Sequence, residues 1–302
     1  MAASLKARLR YRLSSSILYL YRRYLRRWGV PSFAKGLALA YAKRQGASLV
    51  ESHQFAKILG DRKKMSFIFP YYKKKSVIMD AINSLKNQHS FAVSPEDIEI
   101  IVIEDGSRDD LDDVLPDDVI YLRRNRFGYG ISRCRNLGAK VANGNILCFV
   151  DPDLVFPNNY VDTLYRESQF YGEKVIISGY IDDYFYAGSE DPRVAYGVWE
   201  RPNQPARRFY HLAGGHMAIH RSLFFDLGGF DEDLVYGEVE DTLFGYLCGQ
   251  RDDTAIVFST ESRCRHQPHP VGDAHGKPKN SYYVAASKQP EFFKEFVLDN
   301  QR

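Results

Sequence analysis

The stretch Ile146–Phe156, ILCFVDPDLVF, decides how the rest of the chain is read. Its apolar opening run suits a buried strand, and Pro152 breaks that strand just where Asp151 and Asp153 emerge. Two carboxylates at the end of a buried strand are costly unless something positive sits between them. A hard divalent cation bound to a phosphate ester meets that need, because carboxylate and phosphate oxygens are its preferred ligands. The same triplet also fits a plain acidic turn, since Asp and Pro are both common there.

Working outward, Met65–Tyr72 (MSFIFPYY) reads as an earlier strand ended by Pro70, and Lys73–His89 follows as an amphipathic helix. Ile98–Ile103 is a continuous apolar run, as in a strand covered on both faces, and it ends in Glu104-Asp105-Gly106-Ser107. Val119–Leu122 reads as a third short strand. Ser132 is then expected to cap a helix whose inner face is Cys134, Leu137, Gly138 and Val141, with Gly144 as its stop. Strands alternating with helices at this spacing imply an α/β layer fold with a mostly parallel sheet. Ligands of such sheets bind outside the carboxyl ends of the strands. Pro70-Tyr71, Asp105 and the pair Asp151/Asp153 all sit at such ends and should converge on one crevice.

Charge is unevenly spread. Residues 1–50 hold 11 Lys or Arg and no Asp or Glu, whereas residues 51–302 carry 30 basic against 38 acidic side chains. Within this basic leader, residues 4–28 repeat Leu5, Leu9, Leu13, Ile17, Leu20, Tyr24 and Trp28 at helical spacing, and Gly29-Val30-Pro31 stops the helix. Such a helix can lie flat on an anionic membrane; RNA binding or docking on the protein's own body are the alternatives. A second helical stretch is expected over about residues 32–59. Residues 1–64 are thus read as a basic helical N-terminal extension, 65–275 as the main domain and 276–302 as a C-terminal tail. The apolar part of the leader is too short for a secretory signal, and no run approaches the ~18–20 residues of a membrane span. The expected location is cytoplasmic, with peripheral attachment to the cytoplasmic membrane face as the further option. Cys134, Cys148, Cys248 and Cys264 lie far apart without a CxxC pair, which suits buried thiols in a reducing compartment.

These residues resemble the family 2 glycosyltransferases of the GT-A fold, over about Met65 to His269. FIFPYY is similar to the family's opening strand, whose end touches the donor's uracil; the resemblance makes Pro70 and Tyr71 donor-binding. EDGS is similar to the second-strand motif, in which Asp105 would bind the base. GISRCRNLGAKVANGNILCFVDPD is similar to the Arg-containing helix that leads into the DxD motif. It implies Arg133 and Arg135 for the donor diphosphate, and Asp151 and Asp153 for the ribose and the metal.

The segment LAGGHMAIHRSLFFDLGGFDEDLVYGEVEDTLFGYLC resembles chondroitin-polymerase-type and galactosyltransferase-type enzymes. By that resemblance Asp241 is the general base and Glu240 contacts the acceptor. The chain reads YGEVED where many members read WGGED, which leaves Glu238 as a possible stand-in. From the residues alone, Glu240-Asp241 also suits a helix start, where the dipole favours acidic side chains. In RHQPHP, the resemblance offers His266 as a further metal ligand with His269 in reserve, while loop histidines are otherwise simply solvated.

The resulting expectation is a metal-dependent inverting glycosyltransferase. It would use Mn2+ or Mg2+ and move a sugar from a nucleotide donor, expected to be a UDP-sugar, to a hydroxyl of a glycan or glycolipid. No nucleic-acid partner is expected. The alternatives are a retaining GT-A transferase or an inactive GT-A-like scaffold on a membrane. A sugar nucleotidyltransferase would need a Gly-rich phosphate loop after the first strand, and PYYKKKS has no glycine.

Overall fold

Side-chain alternation divides the apolar residues of each central strand between two faces. Along Lys63–Tyr71, Ile68 joins one apolar cluster, while Met65, Phe67, Phe69 and Tyr71 join the other. Ile101 and Ile103 part from Ile100 and Val102 in the same way, as do Leu147 and Phe149 from Ile146, Cys148 and Val150. A strand with both faces covered therefore reads as an unbroken apolar run.

The computed structural model describes residues 60–107, 109–124, 130–182, 212–234, 239–269 and 280–292, with Ile58, Lys294 and short strands at 47–49 and 205–206. The strands are β1 (Ala47–Leu49), β2 (Lys63–Tyr71), β3 (Ile98–Glu104), β4 (Ile120–Arg124), β5 (Gly144–Val150), β6 (Leu154–Val155), β7 (Val175–Asp182), β8 (Pro205–Ala206), β9 (His216–His220) and β10 (Ala255–His266). The helices are α1 (Lys75–Lys86), α2 (Ile131–Val141), α3 (Tyr160–Tyr171), α4 (Arg221–Asp226), α5 (Glu240–Gly249) and α6 (Asn280–Lys288).

The ten strands among the described residues form one mixed sheet in the order β1-β4-β3-β2-β5-β9-β7-β10-β6, with β8 also on β10. β4, β3, β2 and β5 run parallel; β9 lies antiparallel between β5 and β7, and β7 pairs in parallel with β10. The aromatic centre of one face is Phe149, with ring centroids 5.1 Å from Phe224 and 5.3 Å from Phe230. Phe244 closes that group, 4.8 Å from Phe230.

Several local expectations are corrected. Pro70 does not end the strand: β2 runs on to Tyr71, paired with β3 from Met65 to its end. The Tyr71 carbonyl accepts from Asp105 N on the β3 side, so Pro70 faces the β5 side, where pairing has already stopped at Ile68. A missing N–H costs no ladder bond there. Ser132 is not the cap of α2. Gly130 holds that place, and the buried Ser132 hydroxyl has no partner among the described residues. Gly144 opens β5 rather than closing α2, which ends at Val141. Its amide donates to Ser66 Oγ at 2.8 Å, and a Cβ there would press on the Ser66 backbone.

The helical expectation for 32–59 fails at Ala47–Leu49, which pairs antiparallel with β4. An edge strand with unpaired backbone groups offers a partner that outweighs weak local propensity. The remainder of that stretch apart from Ile58, the basic helix 4–28 and Glu238 lie outside the described residues. At the other end, Ala285 and Phe292 pack with Leu234, Val239, Leu243 and Tyr246. All four cysteines are buried thiols, and none forms a disulfide among the described residues. No helix among the described residues is long and apolar enough to cross a membrane.

Candidate active site

The DPD triplet is a turn between β5 and β6, held from two sides. Asp151 N donates to Gly215 O at 2.8 Å, and Gln267 N donates to Asp153 O at 2.8 Å. The loop before β9 and the segment after β10 are thereby brought to the carboxyl end of β5. The two glycines of that loop are needed for space. A Cβ on Gly214 would lie 2.6 Å from Arg135 Nη1 and 2.8 Å from Asp241 Cβ, and one on Gly215 would collide with the Asp151 carboxylate.

Arg135, 2% exposed, is the hub of one corner. Its Nη1 donates to Glu240 Oε1 at 2.7 Å, and its Nη2 lies 3.5 Å from Asp151 Oδ1. Burial and the neighbouring Asp241 push the Glu240 carboxyl up to about 7, against the pull of Arg135. Asp151 is likewise raised by burial, with Arg135 opposing and Asp153 reinforcing. Asp241 is fixed by its neighbours: Gly214 N donates to Oδ2 at 2.9 Å and Thr242 N to Oδ1 at 2.7 Å. Arg135 Nε and Glu240 Oε2 are buried with no partner among the described residues. Unmet polar atoms at such depth are uncommon and mark a place where a ligand can bind.

Asp153 occupies the other corner. His269 Nε2 lies 2.9 Å and His266 Nε2 3.7 Å from its Oδ2. The ligand atoms of Asp153, His266 and His269 fall within 4.8 Å of one another, as a shared metal ion requires. Lys74 was not foreseen. Its ammonium lies 3.0 Å from Asp153 Oδ2 and 2.9 Å from His269 Nδ1, a positive charge standing where a cation would be held. Burial alone would raise the Asp153 carboxyl, but His266 and Lys74 hold it well below the usual carboxylate range. Carboxylate, imidazoles and the stand-in ammonium together fit a divalent cation. Asp151 is outside that trio; the turn at Pro152 sends it to Arg135 instead.

The remaining predicted residues line the neighbouring strand ends. Asp105 is buried, bound by the Arg124 guanidinium and the Gly130 amide, and burial raises its carboxyl despite them. Tyr71 is buried with its hydroxyl donating to Asp109 Oδ2 at 2.5 Å. Pro70 lies beside it in β2, also buried. Arg133 parts from Arg135: residues two apart on a helix face different ways, and Arg133 acts on Asp105 and Asp233 rather than on Asp151. Sequence reasoning missed Lys74, Arg124 and the role of Gly214-Gly215. PYYKKKS shows three lysines after the first-strand end, but nothing in that run says which of them turns to the DPD turn.

The mixed sheet, with the DPD turn at the carboxyl end of β5, is of the GT-A type. Residues 66–231 match the model of Glycosyl transferase family 2, and the chain belongs to that family. It is 24% identical to a chondroitin synthase of Escherichia coli over 60% of this chain and 32% of that protein. It is 28% identical to a validoxylamine A glucosyltransferase of Streptomyces hygroscopicus subsp. limoneus, over 60% of this chain and 47% of that protein. The chain thus spans about a third of the one relative and about half of the other. The crystal structure of S. aureus TarS residues 1–349 in complex with UDP-GlcNAc has the same fold, with a TM-score of 0.62 at 16% identity, covering 78% of this chain and 72% of that one.

Proposed function

We propose that the protein is an inverting, metal-dependent glycosyltransferase that moves a sugar from a UDP-sugar to a hydroxyl of a glycan or glycolipid acceptor. The observation that carries this reading is the meeting of the DPD turn, the Gly214-Gly215 loop and the Glu240-Asp241 helix start around Arg135. TarS, seen in complex with UDP-GlcNAc and with UDP, supports a UDP-sugar donor, and the chondroitin synthase supports a glycan acceptor.

Asp153, His266 and His269 would hold the cation, Mn2+ or Mg2+. When bound, it supplies Lewis-acid neutralisation of the charge that builds on the leaving diphosphate. Arg135, charged and buried, supports the same charge and positions Asp151 and Glu240. Asp241, oriented by the Gly214 and Thr242 amides, takes the proton of the acceptor hydroxyl as its oxygen attacks the anomeric carbon. Glu240, holding a proton until about neutral pH, can donate a hydrogen bond to an acceptor oxygen. A single displacement turns an α-linked donor into a β-glycoside.

The test is transfer or donor hydrolysis across a set of UDP-sugars with and without EDTA, with product configuration read by NMR. At least one UDP-sugar should be consumed in a Mn2+- or Mg2+-dependent manner, giving a β-linked product. Turnover unaffected by EDTA, or an α-linked product, contradicts the reading.

A further inference from the structure

Three consecutive lysines follow β2, and they have separate fates. The Lys73 ammonium lies 5.4 Å over the Tyr72 ring, and Lys75 Nζ donates to Asp110 O at 2.6 Å. Lys74 alone of the three turns into the Asp153 corner, where it contacts both Asp153 Oδ2 and the ring of His269. The backbone just before it is unusual. Lys73 has φ of 50°, in the left-handed region that residues other than glycine seldom adopt. That conformation sets the direction in which the chain leaves β2 and brings Lys74 over the DPD turn.

The oxygen and ring nitrogen held by Lys74 are the groups a divalent cation needs. An ammonium and a divalent ion cannot share one carboxylate oxygen and one imidazole at these distances without strong repulsion. We propose that Lys74 is a resident counter-ion that closes the Asp153–His269 corner until a nucleotide diphosphate draws its ammonium away, so that nucleotide and cation bind together. This rests on the cation reading given above. Three consequences follow. The protein without nucleotide binds the metal weakly. A diphosphate, by offering Lys74 another anion, frees Asp153 and strengthens metal binding. The metal strengthens nucleotide binding by the same factor, as linkage requires. Lys74 is in this sense a positioning residue, and its side chain, 23% exposed beside an Asp153 only 11% exposed, can reach outward to a ligand.

The experiment measures Mn2+ binding to the full chain by electron paramagnetic resonance of the free ion, with and without UDP, for the wild type, Lys74→Met and Lys74→Arg. Without UDP, Lys74→Met should bind Mn2+ at least about 10-fold tighter than wild type, and the gain in Mn2+ affinity on adding UDP should shrink by a similar factor. Lys74→Arg, which keeps the charge, should return to weak binding. Should Lys74→Met fail to fold, Lys74→Gln serves the same comparison, with thermal melting as the check on folding. Equal or weaker Mn2+ binding by the neutral variant without UDP overturns the inference while leaving the cation reading standing. Mn2+ bound by neither protein, even with UDP, overturns both.

Discussion

The two corners of the crevice use the same side-chain chemistry to opposite ends. Around Arg135, burial pushes the Glu240 and Asp151 carboxyls up, reinforced by Asp241 at Glu240 and by Asp153 at Asp151, and Glu240 reaches about 7. A few residues away, Asp153 meets Lys74 and two histidines and is pulled well below the usual range, although burial acts on it too. Neighbouring charge therefore decides which carboxylate can keep a proton and which stays ionised. In the proposed reaction the difference divides the labour: proton handling and acceptor contact on the Arg135 side, cation holding on the Asp153 side.

The comparison breaks most visibly if Asp241→Asn remains active. That variant keeps an oxygen for the Gly214 amide, so donor binding should stay near normal while transfer falls by about 10²–10⁴-fold. Steady-state kinetics alongside UDP calorimetry would show it. Next in size is Arg135→Ala. Removing one partner of a buried charge cluster leaves Glu240 and Asp151 uncompensated, at a cost of about 3–5 kcal/mol in chemical denaturation.

Glu240→Gln tests the proton-handling corner more finely. With a folded-state pKa of about 7 against an ordinary 4.5, the native protein binds this proton more tightly than the unfolded chain. Stability from this group is therefore fully present at low pH and is lost as pH rises from about 4.5 through about 7. The wild type should lose on the order of 2 kcal/mol from this group across that window, and Glu240→Gln should flatten the slope. An unchanged slope in urea melts at several pH values would remove the assignment.

Much of the fold was legible because its signals are local. The apolar runs at 65–69, 98–103 and 146–150 are strands because both faces of the sheet are covered, and Val77, Ile78, Ala81, Ile82 and Leu85 mark the inner face of α1. Pro70 and Ser132 were misplaced because their roles depend on neighbours distant in sequence. Which side of β2 lacks a partner, and what surrounds a hydroxyl in the first turn of α2, are tertiary facts. The edge strand at 47–49 exists only because β4 offers a free edge.

The site was legible to a similar depth. Aspartates at strand ends point to a common crevice, but their alternation about Pro152 does not say that Asp151 turns to Arg135 while Asp153 turns to the histidines. Nor could spacing reveal Lys74, whose direction is set by a single left-handed residue. The order of His266 and His269 was equally hidden. Both reach Asp153, and His269 comes closer, because the Gln267 amide ties their shared segment to the Asp153 carbonyl.

The most direct test is the anomalous signal of manganese in crystals soaked with UDP and Mn2+. The account expects one peak within ligating distance of the Asp153 carboxylate and of at least one of His266 and His269, with the UDP diphosphate beside it. A corner without manganese while UDP binds elsewhere, or Lys74 still seated on Asp153 with nucleotide in place, would contradict it.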